Sequence, residues 1–312
     1  MHIDPAYRVE RINANKLKDI ETLYEAVYGH KPAKNFFAKK YNTVYSGIEY
    51  PGHIAYDKAG NPVAHFGAVP CFIQYNEKKI LSAQATDAIT HPQHRKKGLF
   101  ETLGKATCDL LKANDIKLIF VFPNQDSYHG VVHKLQWKKI DNLDRFTIDI
   151  NNFSVAALVR KIFPAWLYKK YANQILRKHL LLQDGLQNNL IAEGFAGIYR
   201  DDKYLNYKTY NTTKVIQLYN SKAWVKIKNN LSIGDINVDE VDFDKTITAL
   251  EKITKQLGLS QISFQISPDT QLHTLFAARY KPIPSFPVIC LDLDSGIPAD
   301  KLKFSFADLD IF

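Results

Sequence analysis

A short basic turn carries the clearest candidate chemistry in this 312-residue chain. Arg95, Lys96 and Lys97 precede Gly98, and apolar residues recur at helical spacing from Leu99 onward. This order predicts a turn at a helix N-terminus, where unpaired backbone N–H groups and the positive end of the helix dipole attract anions. Gly98 lacks a Cβ and lets a ligand come close to the backbone. The turn is therefore a candidate site for a phosphate-bearing ligand.

The same stretch resembles the acyl-CoA-binding motif of the GNAT acetyltransferase superfamily. That motif reads Arg or Gln, two residues, Gly, one residue, then Gly or Ala. It stands here as Arg95-Lys96-Lys97-Gly98-Leu99-Phe100, after His91-Pro92. The first four positions match, whereas Phe100 takes the place of a small residue. The resemblance implies that these six residues bind acyl-CoA.

The resemblance also implies where the rest of the ligand would lie. In the GNAT fold the strand before the turn splays away from the next strand at a bulge, which releases backbone groups from the ladder. The pantetheine arm then pairs with the first strand as an extra strand would. By position, Ile89 and Thr90 would supply those backbone groups, and Asn124 would face the arm. The implied co-substrate is acetyl-CoA, with no metal.

Acetyl transfer to an amine needs a base, a polarised carbonyl and a proton for the leaving thiolate. Asp87, on the strand before the turn, is the candidate base. Tyr128 is the candidate acid. Many superfamily members carry the acid tyrosine at a position that is Val132 here. Two further candidates for the acid are His129 and His133.

The predicted elements around these residues follow the GNAT order. Strands are predicted at 7–12, 53–56, 63–66, 68–75, 83–90 and 117–122, and helices at 16–28, 35–41, from 99 onward, and through 131–135. The order is strand, helix, helix, antiparallel strands, helix, strand, helix. The resemblance therefore covers about residues 5–150 and implies a mixed, mostly antiparallel sheet flanked by helices.

The second part of the chain repeats a similar order without the motif. Strands are predicted at 215–219, 223–228, 231–238, 261–266 and 288–293, with helices at 243–257 and 270–279. The turn between strand and helix, Asp239–Asp242, is acidic and would repel a pyrophosphate. The predicted fold class is α/β (α+β), in two tandem halves. These are a GNAT domain at 1–150 and a degenerate GNAT-like domain at 151–312.

A basic helical linker is predicted at about 154–182. Its lysines and arginines alternate with large apolar residues, so it could lie on an anionic membrane surface. The alternative is a helix pair whose apolar face packs on protein, which is favoured because the stretch is internal.

Composition narrows the class of protein but not the ligand. The net charge of +9 favours an anionic ligand. The sequence has no apolar run long enough for a transmembrane helix and no apolar signal core at its start. The three cysteines are scattered and fit a reducing cytoplasm, and no zinc-binding spacing occurs.

The leading interpretation is a bacterial, cytoplasmic, acyl-CoA-dependent N-acetyltransferase acting on a small-molecule primary amine. An amino sugar of surface glycan synthesis is the favoured acceptor, with an aminoglycoside or another small amine as a close rival. Two other classes stay open: a CoA-binding protein without catalysis, and a binder of nucleic acid or membrane surfaces. The favoured interpretation predicts no nucleic-acid partner. It leaves peripheral membrane contact and homo-oligomer formation open.

Overall fold

The computed structural model describes residues 5–151, 162 and 164–312. The chain divides into two compact units, Met1–Asp141 with Phe286–Leu302, and Asn142–Ser285 with Lys303–Phe312. Both units are discontinuous, and neither ends at residue 150. The two tandem halves suggested by the resemblance therefore stay a prediction.

Unit 1 contains a mostly antiparallel sheet. Its strands are β1 (Arg8–Arg11), β2 (Gly52–Tyr56), β3 (Pro62–Tyr75), β4 (Lys78–Thr90) and β5 (Leu118–Val121). They pair in chain order, antiparallel except for the parallel pair β4–β5. The end of β13 (Ile283–Asp292) then pairs antiparallel with β5.

Helices cover both faces of this sheet. They are α1 (Leu17–Tyr28), α2 (Phe36–Lys40), α3 (Leu99–Ala113) and α4 (Gln125–His129), and a π-helical turn (Gly130–Lys134) follows α4. On one face Ile20 of α1 and Phe37 of α2 are buried against Ile54. On the other, Leu99 and Leu103 of α3 are buried against the sheet. The turn at the start of α3 is thus held by a buried apolar stripe at helical spacing.

One correction concerns β3. The sequence predicts two strands, 63–66 and 68–75, separated at Gly67, but the structure has one continuous strand of 14 residues. A Cβ on Gly67 would overlap the hydroxyl of Tyr41. Gly67 therefore makes room for Tyr41, which directly follows α2, and it does not break the strand.

The strands of unit 2 follow the order β6-β12-β11-β10-β9-β7. Its strands are β6 (Lys138–Asp149, which begins in unit 1), β7 (Leu180–Leu181), β9 (Lys214–Leu218), β10 (Ser221–Ile227), β11 (Leu231–Asn237) and β12 (Gln261–Ile266); β8 spans Gly197–Ile198. The pair β11–β12 is parallel, whereas the pairs β6–β12, β10–β11, β9–β10 and β7–β9 are antiparallel.

Among the residues that the structure describes, unit 2 has the helices α5 (Ala165–Leu176), α6 (Asn189–Ala192), α7 (Asp202–Lys208), α8 (Phe243–Gln256) and α9 (Gln271–Ala277). The predicted order of strands and helices from β9 to β13 is confirmed. The parallel pair β11–β12, joined through α8, repeats the connection of β4 to β5 through α3.

The predicted basic linker coincides in part with α5. Residues 152–161 and 163 lie outside the described residues. Within α5, Leu176 is buried in the core of unit 2, and the hydroxyls of Tyr168 and Tyr171 donate to the carbonyls of Leu257 and Gln256. This helix packs on its own unit through its apolar side.

Candidate active site

The motif turn, Arg95–Gly98, has the backbone shape that a phosphate cradle requires. Lys96 and Gly98 both have positive φ angles, 61° and 76°, and Gly98 is the N-cap of α3. The side chains of Arg95, Lys96 and Lys97 are exposed. The first backbone N–H groups of α3 have no acceptor within the helix, so they are available to an anion that three cations would also attract.

Gly98 is required for its backbone angle, not because neighbouring atoms crowd it. A Cβ placed on Gly98 would meet no atom within 4 Å. A side chain there would be strained by the positive φ, and it would enter open space in front of the helix N-terminus. That open space is where the motif would place a pyrophosphate.

Phe100 replaces the small residue of the motif without obstructing the turn. Its ring packs edge-on against Phe66, with 5.6 Å between ring centroids. A Cβ on Gly130 would lie 2.6 Å from the Phe100 ring. The ring therefore points into the core of unit 1, and the glycine that makes room for it stands at the start of the π-helical turn.

Strand β4 leaves β5 halfway along its length. The ladder between them joins Ser82–Gln84 to Leu118–Phe120, and we call the following residues, Ala85–Thr90, the splayed segment. Asp87 and Ala88 together oppose Phe66 of β3, which is a β-bulge on β4. Ile89 and Thr90, predicted to contact the pantetheine arm through their backbone, follow the bulge directly. The splay and the bulge lie where the resemblance implies them.

Asp87 lies in the bulge and is held by α2. The ammonium of Lys40 lies 2.9 Å from Oδ1 and 2.8 Å from Oδ2, and the Tyr41 hydroxyl donates to Oδ2 at 2.7 Å. Lys40 also donates to the hydroxyl of Thr86 at 2.8 Å. The Lys40 side chain is 2% exposed and that of Asp87 is 15% exposed. Both carboxylate oxygens are thus paired with donors, one of them a buried cation.

His65 holds the same residue from β3. Its Nδ1 lies 2.9 Å from the backbone carbonyl of Asp87, a distance that lets it donate there. Burial lowers the pKa of His65 to about 4, so the ring is neutral at pH 7. Its Nε2 is buried and has no hydrogen-bond partner among the described residues. We call Lys40, Tyr41, His65 and Asp87 the anchor cluster.

The other predicted residues lie after β5, on α4 and in the π-helical turn. Asn124 caps α4, and its Oδ1 accepts from the backbone N–H and the hydroxyl of Ser127, at 2.9 and 3.0 Å. Tyr128 is half-buried against the core on the α3 side of the sheet. His129 and His133 are exposed, with their rings 4.8 Å apart.

The two predicted catalytic residues do not meet. Asp87 contacts α2, whereas Tyr128 packs on the α3 side, and in the described part of the chain no hydrogen bond joins them. Asp87 and Tyr128 are therefore not arranged to pass a proton directly from one to the other.

Comparisons with known proteins agree with this geometry. Residues 8–139 match the family model described as an acetyltransferase (GNAT) domain. Residues 8–139 form a GNAT domain. No curated protein matches the sequence significantly.

Solved structures share the fold of the chain. A GCN5-related N-acetyltransferase from Kribbella flavida superposes with a TM-score of 0.59 at 12% identity, over 94% of this chain and 73% of that one. The N-myristoyltransferase of Saccharomyces cerevisiae with bound myristoyl-CoA superposes with a TM-score of 0.55 at 12% identity, over 97% of this chain and 89% of that one. At this identity the likeness shows the fold alone.

The anchor residues of the GNAT domain were missed by the sequence analysis. Lys40 and Tyr41 lie 47 and 46 positions from Asp87, and His65 lies 22 positions away. Lys40 stands in an aromatic stretch that predicts an ordinary helix. Their contact with Asp87 follows from the β3–β4 register and from the packing of α2. A single sequence provides neither.

The corresponding place in unit 2 is filled by protein. Strand β11 has a bulge at Gly234, opposite Trp224 and Val225. A Cβ on Gly234 would overlap the ring of Phe312, which is fully buried. The acidic turn before α8 lies where the GNAT domain has its motif turn. The described part of unit 2 thus has neither a basic cradle at this turn nor space beside the bulge.

Other features of the structure do not add a site. A cavity of about 290 Å³ lies at the start of β5, beside Leu118 and Cys290, and none of the predicted site residues line it. The described ranges contain no group of three or more His, Cys, Asp or Glu side chains that could hold a metal ion. Within those same ranges, every helix is too short or too polar to cross a bilayer.

Proposed function

We propose that the protein is an N-acetyltransferase that moves an acetyl group from acetyl-CoA to a primary amine of a small molecule. The observation that carries this proposal is the combination of the motif turn with the splayed segment of β4. The turn offers cations and helix N–H groups to a pyrophosphate, and the splayed segment offers backbone groups to an extended arm, with the bulge at Asp87 between its ends. Membership of residues 8–139 in the GNAT family supports acyl-CoA as the donor.

The residues of the GNAT domain suggest a direct transfer. The amine nitrogen attacks the thioester carbon, the carbon–sulfur bond breaks, and CoA leaves as a thiolate that takes up a proton. Backbone N–H groups beside the bulge would polarise the thioester carbonyl. Tyr128 is the candidate proton donor to sulfur. Asp87 is either the base that takes the proton from the amine or a residue that fixes the bulge.

An amino sugar is our proposed acceptor, with other small primary amines as rivals. The aromatic rings of Tyr24 and Tyr28 lie at the end of α1. Tyr28 is half-exposed and its ring lies 4.5 Å from that of Tyr24. Burial raises the pKa of Tyr28, and the charges of Asp87 and Asp126 add to this effect. Aromatic rings beside carboxylates suit a cationic amine on a sugar ring.

The test is turnover with labelled donor. The full-length protein is incubated with deuterated acetyl-CoA and mixtures of amino sugars, aminoglycosides and simple amines, and the products are analysed by mass spectrometry. The proposal predicts a labelled acetyl group on one class of primary amine. Tight binding of acetyl-CoA without any labelled amine would favour a CoA-binding protein without catalysis instead.

A further inference from the structure

We propose that Lys40 is a positioning residue for acyl transfer, which fixes the bulge of β4 through the side chain of Asp87. The proposal rests on the function proposed above. The observation behind it is an ion pair between the buried Lys40 of α2 and the partly buried Asp87 of the bulge, in the segment where β4 separates from β5. Asp87 in this view is an anchor of the strand and not the base.

The backbone of Asp87 needs an anchor. Its φ angle is 50°, in the left-handed region that residues with a side chain rarely adopt. Such a conformation persists where the surrounding structure holds it, and such positions are common at functional sites. The side chain is held by Lys40 and Tyr41, and the carbonyl by His65. Three residues, one in α2, one directly after it and one in β3, thus fix one strained residue.

The pairing of Asp87 also favours an anchoring role. A carboxylate that accepts from an ammonium and a phenol is held in place by charge-assisted hydrogen bonds. Both of its oxygens face donors at 2.7 to 2.9 Å. Lys40 is nearly fully buried, so losing Asp87 would leave a cation without its carboxylate.

The contacts of Lys40 tie it to successive residues of β4. It donates to Thr86 and Asp87, immediately before Ala88 and the backbone groups that a thioester would meet. A small displacement of those groups would cost catalysis because the reacting atoms must be held within a fraction of an ångström. Lys40 and Tyr41 bond the carboxylate of Asp87, His65 bonds its carbonyl, and the charge of Asp87 also acts on the phenol of Tyr28.

The test compares Lys40→Met, Asp87→Asn and the double variant in the full-length protein. For each we would measure kcat and KM for the amine from pH 6 to pH 9, and hydrogen exchange of the splayed segment. We expect each single variant to lower kcat by roughly 10-fold to 100-fold, with the KM for the amine and the shape of the pH profile little changed. Exchange of the splayed segment should accelerate. The double variant should be more active than the product of the two single effects predicts, because neither charge is stranded.

A milder variant guards against loss of folding. Tyr41→Phe removes only the hydroxyl that bonds Oδ2, and we expect it to lower kcat by roughly threefold to tenfold without unfolding the protein. Tyr45→Phe is the matched control, since its hydroxyl bonds the carbonyl of Pro70 away from the bulge. The control should leave kcat and exchange of the splayed segment unchanged.

Two results would overturn the positioning role. One is a Lys40→Met protein with unchanged kcat and unchanged exchange. The other is loss of activity in Asp87→Asn together with an active Lys40→Met protein whose acidic pH limit has moved, which would identify Asp87 as the base. Failure of the wild-type protein to acetylate any amine would instead contradict the proposed function, and accelerated exchange in Lys40→Met would still support the anchoring of the bulge.

Discussion

Gly98 and Phe100 stand two positions apart in the motif but meet different constraints. Gly98 supplies a left-handed backbone angle in open space, whereas Phe100 fills a core and depends on Gly130 for room. Where the motif has a small residue this chain has Phe100, and Gly130, 30 positions later, provides the space for its ring. Asp87, chosen from the sequence for its carboxylate, is bound to a buried lysine, which only the structure reveals.

At Gly98 we expect Gly98→Asp to weaken acetyl-CoA binding by at least about 10-fold, or about 1.4 kcal/mol. The substitution places a strained, negatively charged side chain in front of the helix N-terminus. Isothermal titration calorimetry measures the change. Gly194→Asp is the control, because Gly194 also has a positive φ and a Cβ there would meet no atom within 4 Å, but it lies in unit 2. Equal affinity in wild type and Gly98→Asp would exclude the motif turn as the phosphate site.

At His65 we expect a pH-dependent contribution to stability. Its pKa is lowered from 6.5 to about 4 by burial, so between these pH values the unfolded chain binds a proton that the folded chain does not. The contribution of the neutral ring to the free energy of unfolding is therefore fully present above pH 6.5, and it is lost as the pH falls towards 4. From pH 7 to pH 5 the loss is about 2 kcal/mol.

Urea unfolding at the two pH values checks this expectation. His65→Asn keeps a donor near the Asp87 carbonyl but cannot titrate, so its free energy of unfolding should change less between pH 7 and pH 5. His133→Asn, at an exposed histidine, should behave like wild type. An unchanged pH dependence in His65→Asn would show that this ring does not govern the acid sensitivity.

At the scale of elements, most of the fold follows from local patterns. The strand at Gln261–Ile266 and the helix at Phe243–Gln256 agree with their predicted bounds to within one residue, because alternation and helical spacing are strong there. The continuity of β3 through Gly67 and the π-helical turn after α4 were not predictable. Both depend on partners far away in the chain, Tyr41 for the first and Phe100 for the second.

The contact between α3 and the π-helical turn gives a test at this scale. Gly130 has helical backbone angles. A change from glycine to alanine at such a position stabilises a helix where the added methyl group has space. Here the added methyl group meets the Phe100 ring, and we expect a loss of about 1–3 kcal/mol. Thermal unfolding measures it. Phe100→Leu combined with Gly130→Ala should recover part of the loss, whereas a stabilised Gly130→Ala protein would contradict the described packing.

At the scale of the whole molecule, the two units differ in what their bulges can accept. The GNAT domain has a basic turn and a splayed segment, whereas in unit 2 the ring of Phe312 occupies the side of Gly234. Buried partners hold the segment around that ring: Arg200 pairs with Asp235 and Asp308, and Lys208 donates to the carbonyl of Leu309. We therefore expect unit 2 to bind no CoA.

Unit 1 also depends on β13, which is far away in the sequence. Ile289 of β13 is fully buried and pairs with Val121 of β5. A chain truncated after Asn151 would lack this strand and expose an apolar sheet edge, so we expect it to aggregate in size-exclusion chromatography. A monomeric fragment that binds acetyl-CoA as tightly as the full chain would contradict this expectation.

Native mass spectrometry of the full chain with acetyl-CoA tests most directly whether the motif turn holds the acyl-CoA site. Wild type should bind one acetyl-CoA per chain. A variant with alanine at Arg95, Lys96 and Lys97 should bind none at the same concentration, because the exposed cations that attract the phosphates are gone. Two acetyl-CoA molecules per wild-type chain, or undiminished binding in the triple variant, would contradict the assignment of the site.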